Sequence, residues 1–292
     1  SDASTGGRSG PQFTAWAAAT GEQDSGDGDV KLGTHKTTAT EFSGEFGLDY
    51  AFSPGGAVGV AVGFGNDDWD LDTDLGNGNA SFYQLGAYFS ERFARNFYFD
   101  AAYTYAHFNV TTDREVDFMG VNKYRADFDT TGQAARFEFG HIFAIDRGQA
   151  LSPYIRFQAT DISTPNYEEV TTAGSAAYAL AFTRNRHFDY TTELGAAWDD
   201  VLSSGGDSFT GLRARLGWLH DFGNTLSDTA TFSAFNGASF KVYGVSPAAN
   251  AAHLMVGIEH DIGPVALSLN TEETFAGDAQ SYGGTASISV HW

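Results

Sequence analysis

Along most of this chain apolar and polar residues alternate, and the alternation runs to the last residue. In Gln280–Trp292, Tyr282, Ala286, Ile288, Val290 and Trp292 share one parity, while Ser281, Thr285, Ser287, Ser289 and His291 share the other. A period of two marks a strand with one greasy and one wet face. Elsewhere Phe42, Phe46, Leu48, Tyr50 and Phe52 oppose Glu41, Ser43, Glu45 and Asp49, and Phe97, Phe99, Tyr103 and Tyr105 oppose Tyr98, Asp100 and Thr104. Leu212, Ala214, Leu216, Trp218 and Phe222 oppose Arg213, Arg215, Gly217 and Asp221. The recurrence of this pattern around the whole chain points to lipid as the outer solvent, with the polar faces turned into a water-filled lumen.

The alternation predicts twelve strands near 12–22, 37–52, 57–70, 79–91, 96–111, 123–144, 149–162, 188–202, 207–222, 250–262, 264–276 and 280–292. Every second connection is tight and rich in turn-formers: Ser53–Gly56, Arg92–Arg95, Ile145–Gly148, Ser203–Gly206 and Gly263. The intervening connections, near 23–36, 71–78, 112–122, 163–187, 223–249 and 277–279, are mostly longer. This asymmetry is that of an all-β, transmembrane, antiparallel up-and-down β-barrel with short periplasmic turns and long extracellular loops. A sheet in lipid satisfies its backbone only by closing, and an even strand count puts both termini in the periplasm. Twelve strands enclose a lumen wider than side chains alone can fill.

Composition fits this reading. The 35 Gly, 13 Tyr and 25 Phe suit pleated strands and tight turns. No apolar run is long enough for a membrane-spanning helix, and the negative mean hydropathy does not count against a barrel, whose alternation hides half its apolar residues. The absence of Cys removes disulfides, thiolate metal sites and thiol nucleophiles together. Sixteen basic against 37 acidic residues, a formal charge of −21, argue against nucleic acid as a partner. Many acids cluster in expected loops, among them Glu22, Asp24, Asp27, Asp29, Asp67, Asp68, Asp70, Asp72 and Asp74, where they are solvated or bridge cations to anionic lipid. No signal-peptide pattern precedes Ser1, so a secreted protein is expected here in processed form.

The lumen face is expected to carry Glu41, Glu45, Asp49, Asp100, Arg136, Glu138, Arg156, Glu193, Asp199, Arg213, Arg215, Glu259, Asp261 and Glu272. Such a set reads either as a solvated, partly ion-paired wall or as a hydrophilic conduit for a polar chain. Arg136, Arg156, Arg213 and Arg215 form a candidate positive patch against the acidic wall. Gly59, Ala61, Gly63 and Gly65 leave one strip with little side chain, a candidate groove for a peptide or else a strand bend.

The motifs, in order, resemble the translocator (β-domain) of type Va autotransporters. They are Phe46-Gly47-Leu48-Asp49-Tyr50 with Val58–Phe64, then Leu151-Ser152-Pro153-Tyr154 opening a strand, and Tyr167-Glu168-Glu169 in the next loop. Gly211–Phe222 follows, with Arg215, Trp218, His220, Asp221 and Phe222 at the family's spacing, then Phe240–Gly244 and a closing strand ending on an aromatic. The resemblance implies a twelve-stranded bacterial outer-membrane barrel that helps carry an N-terminal passenger to the cell surface. It implies insertion by the barrel-assembly machinery, with Trp292 as the signal residue and Tyr282, Ile288 and Val290 on the same face. The implied partners are outer-membrane lipid and lipopolysaccharide, that machinery, and the chain's own passenger and linker helix; no cofactor is implied. On this reading residues 1–11, rich in Ser, Gly and Asp without helical period, are a passenger-linker remnant and 12–292 the barrel. Some members cut the linker inside the pore with an Asn and nearby acids; no such Asn stands near the start of this chain.

Catalytic templates are weak. Gly206-Asp207-Ser208 echoes an esterase block, but it falls in an expected turn with no Asp-x-x-His block behind it. No G-x-S-x-G elbow and no H-E-x-x-H exists. His220-Asp221 and His260-Asp261 are adjacent pairs whose side chains point to opposite faces of a strand. Asp70-Leu71-Asp72-Thr73-Asp74 with Gly76 is half a calcium loop lacking its closing Glu. A diffusion porin and a barrel-rim hydrolase stay open as alternatives to the secretion barrel.

Overall fold

The computed structural model describes residues 12–29, 31–72, 75–94, 96–223, 226–235 and 239–292. The Ser1–Gly10 segment, Gln12's predecessor Pro11, and Thr73 and Asp74 of the half calcium loop lie outside the described residues.

Twelve strands form the wall: β1 (Gln12–Gly26), β2 (Thr37–Ser53), β3 (Gly56–Leu71), β4 (Gly76–Phe93), β5 (Phe97–Asp117) and β6 (Val121–His141). They continue with β7 (Gln149–Thr164), β8 (Asn185–Gly205), β9 (Ser208–Asp221), β10 (Asn250–Ile262), β11 (Val265–Phe275) and β12 (Ala279–His291). Each pairs antiparallel with the next, and β12 returns to β1 in continuous register from Thr14↔His291 to Gly26↔Ala279. The seam is completed by Phe13 N–H donating to Trp292 O at 3.1 Å and Trp292 N–H donating to Phe13 O at 2.9 Å. The sheet is closed, which is what lipid demands of a spanning sheet. Among the described residues no helix is long and apolar enough to cross a membrane.

Side-chain direction follows the alternation. Phe42, Phe46, Val60, Phe64, Leu85, Leu194, Leu216 and Ile258 stand exposed on the outer face, a distribution no aqueous solvent would favour. At the rim holding both described chain ends the belt thickens into aromatics: Phe13, Tyr50 and Trp292, then Phe52, Phe89, Phe99 and Phe137, then Phe93, Phe97 and Phe139. Such girdles mark the membrane–water boundary.

The connections keep the expected asymmetry, concentrated in three of them: 27–36, 165–184 and 222–249. The other three on that rim are tight because the strands run past their expected ends. Residues 112–122, expected to be a loop, continue β5 and β6 to a turn at Phe118–Gly120, where Met119 and Gly120 take φ of 55° and 108°. Outside lipid the apolar alternation lapses, and cross-strand charge pairs hold the hairpin instead. Arg125 grips Asp113 at 2.9 and 2.8 Å, and Lys123 pairs with Glu115 at 2.9 Å.

The two longest connections are not irregular either. Ser239–Tyr243, Ser227–Phe232, Leu180–Phe182 and Tyr167–Glu168 pair in that order as a second antiparallel sheet, and Val170–Ala173 adds to the projecting edge of β6. Arg114 on β5 anchors this layer, donating to Glu169 at 2.7 and 2.6 Å and to Tyr178 O at 2.9 Å above the Tyr124 ring. Tyr167 stacks between Phe128 and Phe182 at 4.0 and 4.5 Å, and burial pushes its hydroxyl pKa up.

Candidate functional site: the lumen

The inward face of the wall is built from two unlike halves. Six consecutive strands, β6 to β11, carry a belt of charge: Glu138, Arg156, Glu193, Arg215, His253 and Glu272. Glu138, Arg156 and Glu193 occupy directly opposed positions on β6, β7 and β8, so the strand register brings them together. Arg156 donates to Glu138 and to Glu193, each at 2.9 Å. Arg215 reaches across to Glu138 at 2.6 Å and lies 4.2 Å over the Tyr154 ring. Tyr98 donates to Glu138 at 2.8 Å, and Tyr154 donates to Glu193. His253 sets Nδ1 against Glu193 at 2.9 Å and Nε2 against Glu272 at 2.6 Å, a geometry in which an imidazolium donates from both nitrogens. Arg213 and Asp199 form a separate, more exposed pair at 2.6 Å.

The expected positive patch is therefore absent as such: Arg156, Arg213 and Arg215 are each held by carboxylates. Arg136 shares the inward parity but takes no carboxylate at ion-pair distance among the described residues, and it stands exposed to lumen water.

The other half, β12 and β1 to β5, carries no basic residue among the described inward positions within the belt's span, and its inward side chains include Trp16, Tyr88 and Tyr98. Ser281, Gly283, Thr285, Ser287 and Ser289 face inward on β12. Beside them Thr20, Glu22, Asn270 and Glu272 border a cavity of about 170 Å³. Glu22, Glu41 and Asp67 lie directly opposite one another on β1, β2 and β3, so Glu22 and Asp67, expected in solvated loops, stand on the inner wall instead because β1 runs on to Gly26 and β3 to Leu71. Lower on the same wall Glu45 accepts from Gln84 at 2.5 Å, Asp49 accepts from Tyr88 and from Trp16 at 3.3 Å, and Asp100 accepts from Ser90 at 2.6 Å. Glu259 and the buried Asp261 face inward on β10 near the turn-side rim. Of the expected lumen residues, then, Glu138, Arg156, Glu193, Arg215 and Glu272 converge, and the rest are dispersed.

The small-residue strip of β3 is not an open groove. A Cβ on Gly59 would fall 2.3 Å from the Tyr88 ring, one on Gly63 2.8 Å from Gln84, and one on Gly65 2.6 Å from the Phe82 ring. The same joint recurs where Trp16 covers Gly47, Tyr98 covers Gly140 and Tyr154 covers Gly195, each pair directly opposed on neighbouring strands. An inward aromatic needs a neighbour without a side chain to lie flat against the wall. His253, Trp16, Phe82 and Tyr88 escaped the sequence reading, which placed Tyr98 on the polar face and Tyr154 in a motif without this role. The signal was an inward-parity aromatic with glycine opposite, legible only once register is known.

Across the loop-side mouth, residues 245–248 pass over the lumen ends of β1, β2, β9, β11 and β12. Between Val245–Ala248 and those strands lies a cavity of about 360 Å³. The segment is tied by Leu226 N–H to Ser246 Oγ at 3.1 Å and by Asp221 N–H to Ala249 O at 3.0 Å.

Neither adjacent His–Asp pair forms a dyad: His220 meets Asn250 at 3.0 Å and His260 meets Thr210 at 2.9 Å. Gly206-Asp207 makes a tight turn with Gly206 at φ 61°. Tyr282, Ile288, Val290 and Trp292 are exposed on the outer face of β12, with Trp292 stacked on Phe13 at 6.3 Å.

A family model described as the autotransporter beta-domain matches residues 15–272. No curated protein sequence matches the chain. Among solved structures, the β domain of the Bordetella autotransporter BrkA superposes with a TM-score of 0.71 at 16% identity, over 96% of this chain and 99% of that one. The translocator domain of NalP from Neisseria meningitidis gives 0.72 at 10% identity, over 95% and 88% of the two chains. The transport unit of AIDA-I from Escherichia coli gives 0.60 at 15% identity, over 95% and 90%. At these identities the likeness is one of fold.

Proposed function

The chain belongs to the autotransporter β-domain family, and from that premise we propose how its lumen serves a passenger. As a member it is an outer-membrane translocator domain, a barrel in the bacterial outer membrane linked to a passenger. The proposal is that the passenger's polar chain moves along the lumen and that its linker stays there. The observation that carries it is a lumen wider than its own side chains fill, whose charge belt is internally paired. Carboxylates and guanidiniums already satisfied by one another offer a moving chain few sites at which to stick.

Within this reading Glu41, Glu45, Asp49, Asp100, Arg136, Glu138, Arg156, Glu193, Arg213, Arg215, Glu259 and Glu272 are the conduit wall, and residues 1–11 belong to the linker between passenger and barrel. Tyr282, Ile288, Val290 and Trp292 form an outward, exposed face suited to recognition by the barrel-assembly machinery before the seam closes. The apolar belt meets lipid, and the acidic loops meet lipopolysaccharide through bridging cations. The barrel itself performs no reaction. Against a plain diffusion pore stands the strap 245–248 across the mouth, which an open channel has no use for.

The test joins a tagged reporter through the native upstream segment and adds protease to intact cells. Reporter cleavage that disappears when the barrel is deleted is the expected result. A folded, inserted barrel with the reporter retained in the periplasm would refute the proposal.

A further inference from the structure

Among the described arginines at the level of the charge belt, Arg136 is left without a carboxylate by its own wall. Arg136 stands between Ala102 and Gln158 on the neighbouring strands, neither of which carries charge. The acids nearest in the belt are already committed. Glu138 receives Arg215 and Tyr98 on one oxygen and Arg156 on the other. Glu193 receives His253 and Tyr154 on one oxygen and Arg156 on the other. The one incompletely used carboxylate facing Arg136 is Glu272 on β11, which is engaged by His253 and lies beyond ion-pair distance of Arg136. Turning Arg136 towards Glu138 or Glu193 would displace a donor already in place.

In a ring of twelve strands β6 lies across from β12, whose inward side chains are serine, glycine and threonine. The space before Arg136 is therefore bounded on its far side by a low wall, where the cavity lined by Thr20, Asn270, Gly283 and Thr285 and by the acids Glu22 and Glu272 opens. Neither acid lies at ion-pair distance from Arg136, and a guanidinium left so in a confined lumen is suited to take a planar anion brought within its reach.

We propose that Arg136 is an anion-binding residue of the lumen and that its ligand is the carboxylate of an Asp or Glu carried by the segment occupying the pore. This rests on the translocation reading above and adds its specificity: the segment presents an acid towards β6 and a side without acids towards Glu22 and Glu272. The bond is a charge-assisted hydrogen-bonded pair, with no covalent step.

The probe is a fluorescein-labelled sixteen-residue Ala/Gln peptide with one central Glu, compared with its Glu→Gln twin. Binding to the folded barrel in detergent micelles is read by anisotropy at low salt. Folding of each variant is checked by gel mobility before boiling. The wild-type barrel is expected to prefer the Glu peptide by about tenfold, the size of one such pair in a wet site. Arg136→Gln brings the ratio close to one, Arg136→Lys keeps part of it, and Arg147→Gln, in an exposed turn outside the lumen, leaves it unchanged. A wild-type ratio of one, a preference that survives Arg136→Gln, or no binding of either peptide would each overturn the assignment. Loss of the preference to equimolar inorganic phosphate would also overturn it, by making the site one for small free anions. Because reporter exposure on cells is read separately, a translocating barrel without the preference would sink this inference and leave the conduit standing.

Discussion

Glu193→Gln is the sharpest single probe of the charge belt. The side chain keeps its shape and loses its charge, while three donors still converge on it: Arg156 at 2.9 Å, His253 at 2.9 Å, and Tyr154. An amide has one acceptor oxygen and one donor nitrogen. If the oxygen faces Arg156, the amine faces His253 and Tyr154; if it is flipped, Arg156 meets the amine. Either way at least one charged hydrogen bond is lost, about 1.5–3 kcal/mol. A cation is also left short of its partner in a place where Glu193 is only 3% and Arg156 16% exposed, so solvent repays little. The sum is a loss of about 2–4 kcal/mol. With a guanidinium dependence of about 4–5 kcal/mol per molar, the unfolding midpoint followed by tryptophan fluorescence in micelles falls by about 0.5–1 M. Asp199→Asn is the comparison: its pair with Arg213 is 32% and 39% exposed, and less than about 1 kcal/mol is expected. If Glu193→Gln shifted the midpoint no more than Asp199→Asn, the belt would not be a stabilising network.

Gly47→Ala places a Cβ 2.2 Å from the Trp16 ring and costs about 1–3 kcal/mol in the same unfolding assay, whereas Gly21→Ala, with nothing within 4 Å, is nearly neutral; equal effects would refute the aromatic–glycine joint. Arg114→Ala frees the loop layer from β5, so protease cuts residues 165–184 several-fold faster while the barrel midpoint barely moves; unchanged cleavage would show that Glu169 is not the anchor. Trp292→Ser lowers the amount of folded barrel in the outer membrane; normal levels would count against the terminal aromatic as an assembly signal. The folded barrel migrates differently before and after boiling in detergent gels, as a closed sheet resists opening; identical mobility would contradict the closed seam.

The wall was legible in the sequence because lipid enforces alternation on every residue that touches it. Phe42 to Phe52 declare their face without help from any other strand. Alternation says nothing once a strand leaves the membrane, and so Thr112–Asp117 looked like loop although Asp113 and Arg125 hold it in a hairpin. The loop sheet of 165–184 and 222–249 was hidden for the same reason. In the lumen, parity found the charged residues but not their partners. Arg215 bridges to Glu138 from three strands away, and His253 joins two carboxylates that sequence treats as unrelated. Partnership depends on strand register and on the tilt of closed strands, which one chain read alone does not carry.

The seam between β1 and β12 has a consequence for how such a chain is made. Its hydrogen bonds join the first described strand to the last, so sheet closure waits until β12 has been synthesised. Until then a polypeptide with eleven strands has two bare edges, each a template for pairing with the wrong chain. No prefix of the sequence is a smaller version of the product. The strand Ala279–His291 must be made, and the earlier strands kept from pairing wrongly until then, before a single backbone bond of the seam can form. A chain that stops before β12 leaves β1 without its partner, so the geometry of the ring itself rejects a barrel that lacks its closing strand.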